Sequence, residues 1–261
     1  MSFATMMAAA RDSSRITVDA GWGQGRASFG GLVAALLLAR LGAQMPADRR
    51  LRSMTISFVG PVAPGEAEIE TTIFRSGKSV TQAEARLVQN GEVQAALLAS
   101  FGAHRTSSVH VPAPVQTGMP DPASGQRAPH LPGLTPEFLQ HYEIVWTAGQ
   151  PPFSGCDAPD FSGYARYADH AETFTLEHLV ALVDAWPPSV LPMLKQISPA
   201  SSLCWTMELL TEDVDPDPAA WWYYDVKTDQ ATEGYEHSQA TVRDQAGRLV
   251  AVSRQTVTVF G

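Results

Sequence analysis

The sequence predicts an α+β fold built from two copies of one module, each with a long buried helix followed by an antiparallel meander. The first observation is that residues 32–44, LVAALLLARLGAQ, are apolar on nearly every side, as in a helix that a sheet surrounds. The second is the series of four strand-like segments that follows, separated by turn residues. The third is that the same order of elements returns after a segment rich in proline and glycine. Consecutive strands after one helix are typical of an α+β fold, not of a βαβ sheet.

The composition is that of a globular protein and excludes several classes of partner. The chain has 261 residues, of which 44% are hydrophobic and 17% charged, enough for one large domain or two ordinary ones. A net charge of -9 argues against binding to nucleic acid or to an anionic membrane surface. No apolar run approaches the roughly 20 residues of a membrane span, and residues 1–15 lack the pattern of a secretory signal. Only Cys156 and Cys204 are present, so we expect neither a disulfide framework nor a metal cluster, and a reducing cytoplasmic setting.

The first module is predicted to occupy residues 1–108. Two short strands are expected around a turn at Gly21, and Ser28 is the predicted N-cap of the first helix. Asn90-Gly91 is a strong hairpin dipeptide between two of the later strands. The strands after the helix are predicted at residues 51–59, 66–75, 79–89 and 92–102.

The second module is predicted to occupy residues 137–261, after a linker at residues 109–136. The linker is rich in Pro, Gly, Ser and Ala and has no hydrophobic periodicity. The second module repeats the order of the first, with strands predicted near residues 142–147, 163–168, 201–210, 221–227, 233–244 and 248–260, and its helix between the second and third of these.

The helix of the second module carries one acid inside an apolar run. Residues 176–186 read LEHLVALVDAW, and their leucines, valines and tryptophan recur at helical spacing around Asp184. A carboxylate in such a place must be hydrogen-bonded, ion-paired or neutralised, because burying it unpaired is far more costly than burying a leucine. From this segment alone, an acid solvated at the edge of the buried stripe is the more common explanation.

Comparison of the two modules favours a functional acid. TQAEAR at residues 81–86 parallels SQATVR at residues 238–243, and this register places Asp184 opposite Leu37 and Gln255 roughly opposite Leu98. Both modules need a core, yet only the second has polar residues at these two positions. We therefore predict that Asp184 and Gln255 belong to a site and are not required by the architecture.

This arrangement resembles the double hot-dog fold of acyl-CoA thioesterases of the bacterial thioesterase II type. The most specific pieces are Phe29-Gly30-Gly31 at the start of the first helix, RSGKS at residues 75–79, and SRQ at residues 253–255. In that family an Asp, a Thr or Ser and a Gln jointly orient a water. The resemblance assigns these catalytic roles to three residues, Asp184, Ser202 and Gln255. Ser202 adjoins Ser201, and a one-residue slip on a strand reverses the face, so the choice between them stays open.

The resemblance also implies the chemistry and the partners. Asp184 would accept a proton from water while Ser202 and Gln255 hold that water, and the substrate would be an acyl-CoA. Backbone N–H groups at a helix start suit the developing oxyanion, and Gly31 is a substrate-binding candidate by resemblance. We expect no cofactor, and no metal because the histidines and cysteines lack the spacing of a zinc site. Hot-dog sheets often join edge to edge, so the resemblance implies a homodimer. A role in fatty acid metabolism is expected on the same basis.

Two other functions remain open. A hydratase or dehydratase of the same fold usually has a catalytic His beside the acid, and here only His178 lies on that helix, almost two turns before Asp184. A non-catalytic acyl-CoA binding module would use Asp184 and Gln255 merely to satisfy each other. Turnover of acyl-CoA distinguishes the three.

Overall fold

A twelve-stranded sheet surrounds two central helices. The computed structural model describes residues 1–171, 173–211 and 214–260. The elements of the first half are α1 Phe3–Asp12, β1 Arg15–Val18, β2 Gly23–Gln24, β3 Ala27–Ser28, α2 Gly30–Gly42, β4 Arg50–Phe58, β5 Gly65–Ser76, β6 Val80–Gln89 and β7 Glu92–Gly102. Those of the second half are β8 Gln126–Ala128, β9 Tyr142–Ala148, β10 Phe161–Tyr167, α3 Leu176–Val183, β11 Ala200–Leu209, β12 Trp222–Thr232, β13 Tyr235–Arg243 and β14 Leu249–Val259.

The sheets of the two halves join edge to edge within the chain. The strand order is β1-β5-β6-β7-β4-β11-β14-β13-β12-β10-β9-β8, and β2 and β3 form a separate small hairpin. Strands β4 and β11 pair antiparallel, from Ser57 opposite Cys204 to Ser53 opposite Glu208. The predicted α+β fold, an antiparallel sheet wrapped around a long helix in each of two fused modules, is confirmed.

Helix α2 is the central buried helix of the first half. Ten of its residues are buried, which is the pattern expected of a helix enclosed by a sheet. The prediction that Ser28 caps it is wrong, because the helix begins at Gly30 and Phe29 occupies the N-cap position without a side-chain hydrogen bond. Ser28 instead belongs to β3, where it pairs with Gly23 and donates its backbone N–H to Val62.

Helix α3 is shorter than the apolar run predicted. It ends at Val183, and Asp184 is its C-cap with φ -82 and ψ -5. The physical reason lies in Pro187, since a proline disfavours helical conformation at the residue before it, here Trp186. Asp184 therefore sits at the end of the helix and not within it. None of the helices in the described ranges is long and apolar enough to cross a bilayer.

Helix α1 was not predicted. Its buried residues Phe3, Met6, Met7 and Ala10 follow the three- and four-residue spacing of a helix face, and Ser2 caps it by accepting the N–H of Thr5. The helix packs on α2. This spacing is visible in the sequence and predicts an amphipathic helix.

The linker residues pack on the second half. β8 adds to the edge of the sheet beside β9, and Val115 forms an isolated bridge with Arg248. A short 3-10 turn, Pro122–Ser124, precedes β8. The proline- and glycine-rich segment is thus joined to the sheet at Val115 and at β8.

Candidate active site

Asp184 lies between the end of α3 and the beginning of α2. The backbone N–H of Gly31 donates a hydrogen bond to its carboxylate. A Cβ atom added at Gly30 would lie 2.9 Å from Asp184 Oδ2 and 3.1 Å from the ring of Phe58, so glycine permits this close approach. The N–H groups in the first turn of a helix have no partner within the helix. Asp184 therefore caps α2 from a distant part of the chain, which explains why α2 needs no N-cap side chain of its own.

Gln255 connects Asp184 to Ser202. Its Nε2 donates to Asp184 Oδ1 at 2.9 Å, and its Oε1 accepts from Ser202 Oγ at 3.5 Å, the long limit for such a bond. All three residues are partly buried. The structure thus brings together the three residues that the resemblance singled out, from α3, β11 and β14, and it places Gly31 against the same carboxylate.

A β-bulge decides which of the two serines faces inward. Trp205 and Met207 on β11 point into the core and are fully buried, so simple alternation would turn Ser201 inward with them. The register of β11 on β14 shifts between Ser202 and Cys204, however, and this bulge reverses the alternation. As a result Ser202 reaches Gln255, whereas Ser201 is exposed.

The surroundings of Asp184 raise its pKa to about 7. Burial is the largest cause, because it disfavours the charged form, while the hydrogen bonds from Gln255 and Gly31 act in the opposite direction. The two helix ends also oppose each other, since the N-terminus of α2 favours a negative charge and the C-terminus of α3 disfavours it. A carboxyl group with a pKa near neutrality is suited to accept a proton at physiological pH.

Aromatic side chains form the wall next to Asp184. Trp186 stacks on Tyr224 with ring centroids 5.2 Å apart and planes at 9°. Burial raises the pKa of Tyr224 and of Tyr142, and the nearby charge of Asp184 adds to both shifts. Both phenols therefore stay protonated, and the site is bounded on this side by largely apolar surface.

Two surface cavities lie away from this site. One, of about 430 Å³, is lined by residues that include Trp22, His141 and Phe174. The other, of about 410 Å³, is on the outer face of the sheet around Thr206 and Arg254. Neither contains Asp184, so the hydrogen-bonded side chains, and not a large cavity, mark the candidate active site.

The register that placed Gln255 roughly opposite Leu98 is wrong, because Gln255 pairs with Ser238 whereas the aligned Thr81 pairs with Phe101. Leu98 is 52% exposed on the outer face of β7, whereas Leu97 and Ala99 point inward and are buried. Gln255 points inward, because its side chain meets Asp184. The inward residues of β7 are nonetheless apolar, and Leu37 is fully buried, so the polar positions still distinguish the second half.

The sequence matches family models over both halves. Residues 115–259 match the acyl-CoA thioesterase C-terminal domain. The chain belongs to this family. Residues 18–102 match the acyl-CoA thioesterase N-terminal domain, so the two domains of the thioesterase family occur here in their expected order. The resemblance to acyl-CoA thioesterases is confirmed.

Solved structures show the same hot-dog fold at low sequence identity. A hot-dog protein of unknown function from Alicyclobacillus acidocaldarius has a TM-score of 0.82 and 23% identity, covering 95% of this chain and 92% of that one. A putative thioesterase II from Thermobifida fusca has a TM-score of 0.76 and 21% identity, with coverage of 95% and 92%. An acyl-CoA thioesterase II from Mycobacterium marinum has a TM-score of 0.74 and 19% identity, with coverage of 94% and 92%. No curated protein matches the sequence.

Proposed function

We propose that this thioesterase-family chain hydrolyses acyl-CoA to a free carboxylic acid and CoA, with a water held by Asp184, Ser202 and Gln255. The observation that carries the proposal is the hydrogen-bonded series in which Gln255 joins the Asp184 carboxylate to the Ser202 hydroxyl. An acceptor for a proton and two polar groups to orient the water are thereby gathered at one place. The pKa of about 7 for Asp184 supports its role as general base.

The reaction requires one water and no other reagent. The water oxygen attacks the thioester carbonyl carbon while Asp184 takes a proton from it, and a tetrahedral oxyanion forms. Its collapse breaks the C–S bond, and the CoA thiolate takes up the proton as the acid is released. Orientation of the water and general-base assistance contribute the larger part of the rate, with general-base assistance about 10²- to 10⁴-fold.

Gly31 is proposed to border the place where the thioester carbonyl binds. Its N–H already faces Asp184, at a helix N-terminus where the backbone dipoles favour negative charge. An oxyanion that develops beside the attacking water would benefit from the same helix end. The site then takes its helix terminus from the first half of the chain and its acid from the second.

The rate is expected to depend on pH through Asp184. Only the ionised carboxylate accepts a proton, so kcat/KM should rise about tenfold per pH unit below pH 7 and become constant above it. The measurement is release of free thiol from a fixed acyl-CoA between pH 5 and pH 9. A profile that stays flat from pH 5 upward would contradict an Asp base with a raised pKa.

Replacing Ser202 with alanine is expected to lower kcat about tenfold, because the water loses one of the groups that orient it. Ser201→Ala is the matched control, since Ser201 is the neighbouring residue and is exposed. It should retain the wild-type rate. An equal loss of kcat in both variants would mean that the bulge does not determine which serine orients the water.

A panel of acyl-CoAs from acetyl to palmitoyl tests the proposal as a whole. We expect thiol release from at least one chain length. Saturable binding without release for every chain length would instead favour a binding module, and hydration of an enoyl-CoA without release would favour a hydratase. The position of His178 supports hydrolysis, because it caps the first turn of α3 with Thr175, about 9 Å along the helix axis from Asp184.

The wider setting is part of the same proposal. We propose a cytoplasmic homodimer that acts in fatty acid metabolism, and sedimentation equilibrium would test the dimer.

The division into modules at residues 1–108 and 137–261 also stays a prediction. Gly31 comes from the first of these and Asp184 from the second, which supports treating them as one functional unit.

A further inference from the structure

The inner face of β13 carries a buried acid outside the proposed catalytic set. Glu236 is completely buried, and its Oε1 accepts two hydrogen bonds from Ser189, one from the backbone N–H at 2.9 Å and one from Oγ at 2.6 Å. Its Oε2 is also buried and has no hydrogen-bond partner among the described residues. A carboxylate buried in this way opposes folding unless its contacts compensate, so its presence requires an explanation.

Ser189 follows Asp184 by five residues, and the packing of Trp186 and two prolines restrict the movement of the chain between them. Trp186 packs edge-on to Trp146, with ring centroids 5.3 Å apart, in addition to stacking on Tyr224. Pro187 and Pro188 restrict φ to near -65°, so displacement of Ser189 passes along the backbone to Asp184. Ser189 is itself 1% exposed.

Both ends of this turn are attached to neighbouring strands. At its start, the Asp184 carboxylate accepts from Gln255 on β14. At its end, Ser189 donates to Glu236 on β13. Glu236 lies opposite Val257, two residues along β14 from Gln255. The same pair of strands therefore fixes the beginning and the end of residues 184–189.

We propose that Glu236 is a positioning residue for hydrolysis: by holding Ser189 it fixes residues 184–189 and so directs the Asp184 carboxylate toward Gln255. This inference rests on the proposed function. Thr228 completes the attachment, since its Oγ1 lies 2.7 Å from Ser189 Oγ. With Ser189 Oγ donating to Glu236, that oxygen is free to accept from Thr228.

The test compares Glu236→Ala with Glu236→Gln. Glutamine keeps an oxygen that accepts both bonds from Ser189, so its kcat should stay within about threefold of wild type. Alanine releases Ser189, and kcat should fall about 10- to 100-fold at an unchanged KM, since small displacements of a catalytic group have effects of this size. Glu208→Ala is the control, because Glu208 is an exposed glutamate on the outer face.

A second readout does not depend on turnover. The readout is the pKa of Asp184, followed by carboxyl ¹³C NMR, and we expect a value of about 7 in the wild-type protein. It should move toward the ordinary value of 3.8 in Glu236→Ala, as the carboxylate turns to solvent, and should be unchanged in Glu236→Gln. If wild type itself releases no thiol, the proposed function fails while this measurement still decides the positioning role.

Three results would overturn the inference. One is a Glu236→Ala protein with lowered thermal stability but wild-type kcat and Asp184 pKa, which indicates a purely structural acid. Another is a Glu236→Gln protein whose kcat is as low as that of Glu236→Ala. The loss would then depend on the charge of Glu236 and not on its hydrogen bonds to Ser189. If Glu236→Ala does not fold, Ser189→Ala replaces it, because alanine removes the Oγ contacts with Glu236 and Thr228. We expect kcat to fall in that variant as well, and an unchanged kcat is the third result.

Discussion

Replacing Asp184 with asparagine is expected to lower kcat about 10²- to 10⁴-fold, the usual contribution of a general base. Asparagine has nearly the same shape and still offers an oxygen to the Gly31 N–H, so the helix cap is retained. It has no basicity toward water. The measurement is thiol release at pH 8, where Asp184 in the wild-type protein is ionised.

The same substitution is expected to stabilise the protein. Asp184 has a pKa of about 7 when folded and close to 3.8 when unfolded. Between these values the folded state binds more protons than the unfolded state, so the free energy of unfolding decreases as pH rises through that range. Asparagine does not ionise. We expect Asp184→Asn to be more stable at pH 8 by on the order of 2 kcal/mol, after allowance for partial exposure, and by less at pH 5.

Urea denaturation at the two pH values measures this difference. Asp157→Asn is the matched control, because Asp157 is exposed, and both its stability and its activity should be those of wild type. Lost activity together with gained stability is expected of a residue that acts in catalysis and does not stabilise the fold. An Asp184→Asn protein that loses both would indicate an architectural acid, and one that keeps full activity would remove Asp184 from the mechanism.

Replacing Gln255 with leucine is expected to lower kcat/KM about 10- to 100-fold at pH 7. The change removes one group that we propose orients the water, and it also removes the Nε2 bond that lowers the pKa of Asp184. The midpoint of the pH profile should therefore move above 7, and part of the lost rate should return at pH 9. The residues on the inner face of β7 show that this fold accommodates leucine on such a strand.

The pH profile of Gln255→Leu distinguishes the loss of water orientation, which lowers the rate at every pH, from the loss of the bond to Asp184, which moves the midpoint. Gln239→Leu serves as the control, since Gln239 lies on the adjacent strand and is exposed on the outer face. Its profile should match the wild-type curve. A Gln255→Leu enzyme with an unshifted midpoint would mean that the amide does not act on Asp184, and an unchanged rate would exclude Gln255 from the site.

Local signals predicted the strands well. Asn90 and Gly91 both adopt positive φ, 54° and 79°, as the Asn-Gly dipeptide requires of a tight hairpin. The strand after them was predicted with the bounds that the structure has, Glu92–Gly102. The apolar run of α2 likewise predicted full burial, because a helix without a polar face has to be enclosed.

The features that the sequence did not predict depend on distant contacts. The cap of α2 comes from Asp184, more than 150 positions along the chain, so no local pattern reveals it. The bulge after Ser202 depends on the register with β14. The resemblance pointed to Asp184, Ser202 and Gln255, but only the fold shows that their side chains meet. No sequence pattern marks Glu236, because a single Glu in a strand is common.

The two halves, which are joined by the pairing of β4 with β11, contribute different groups to the candidate active site. One copy contributes the positive end of a helix, while the other contributes the acid that this helix end receives. Both halves are therefore needed at the site, although only the second has the polar residues Asp184, Ser202 and Gln255. Substitutions along the β4–β11 seam, at residues that make no hydrogen bond to Asp184 or Gln255, would therefore change the alignment of the two contributions.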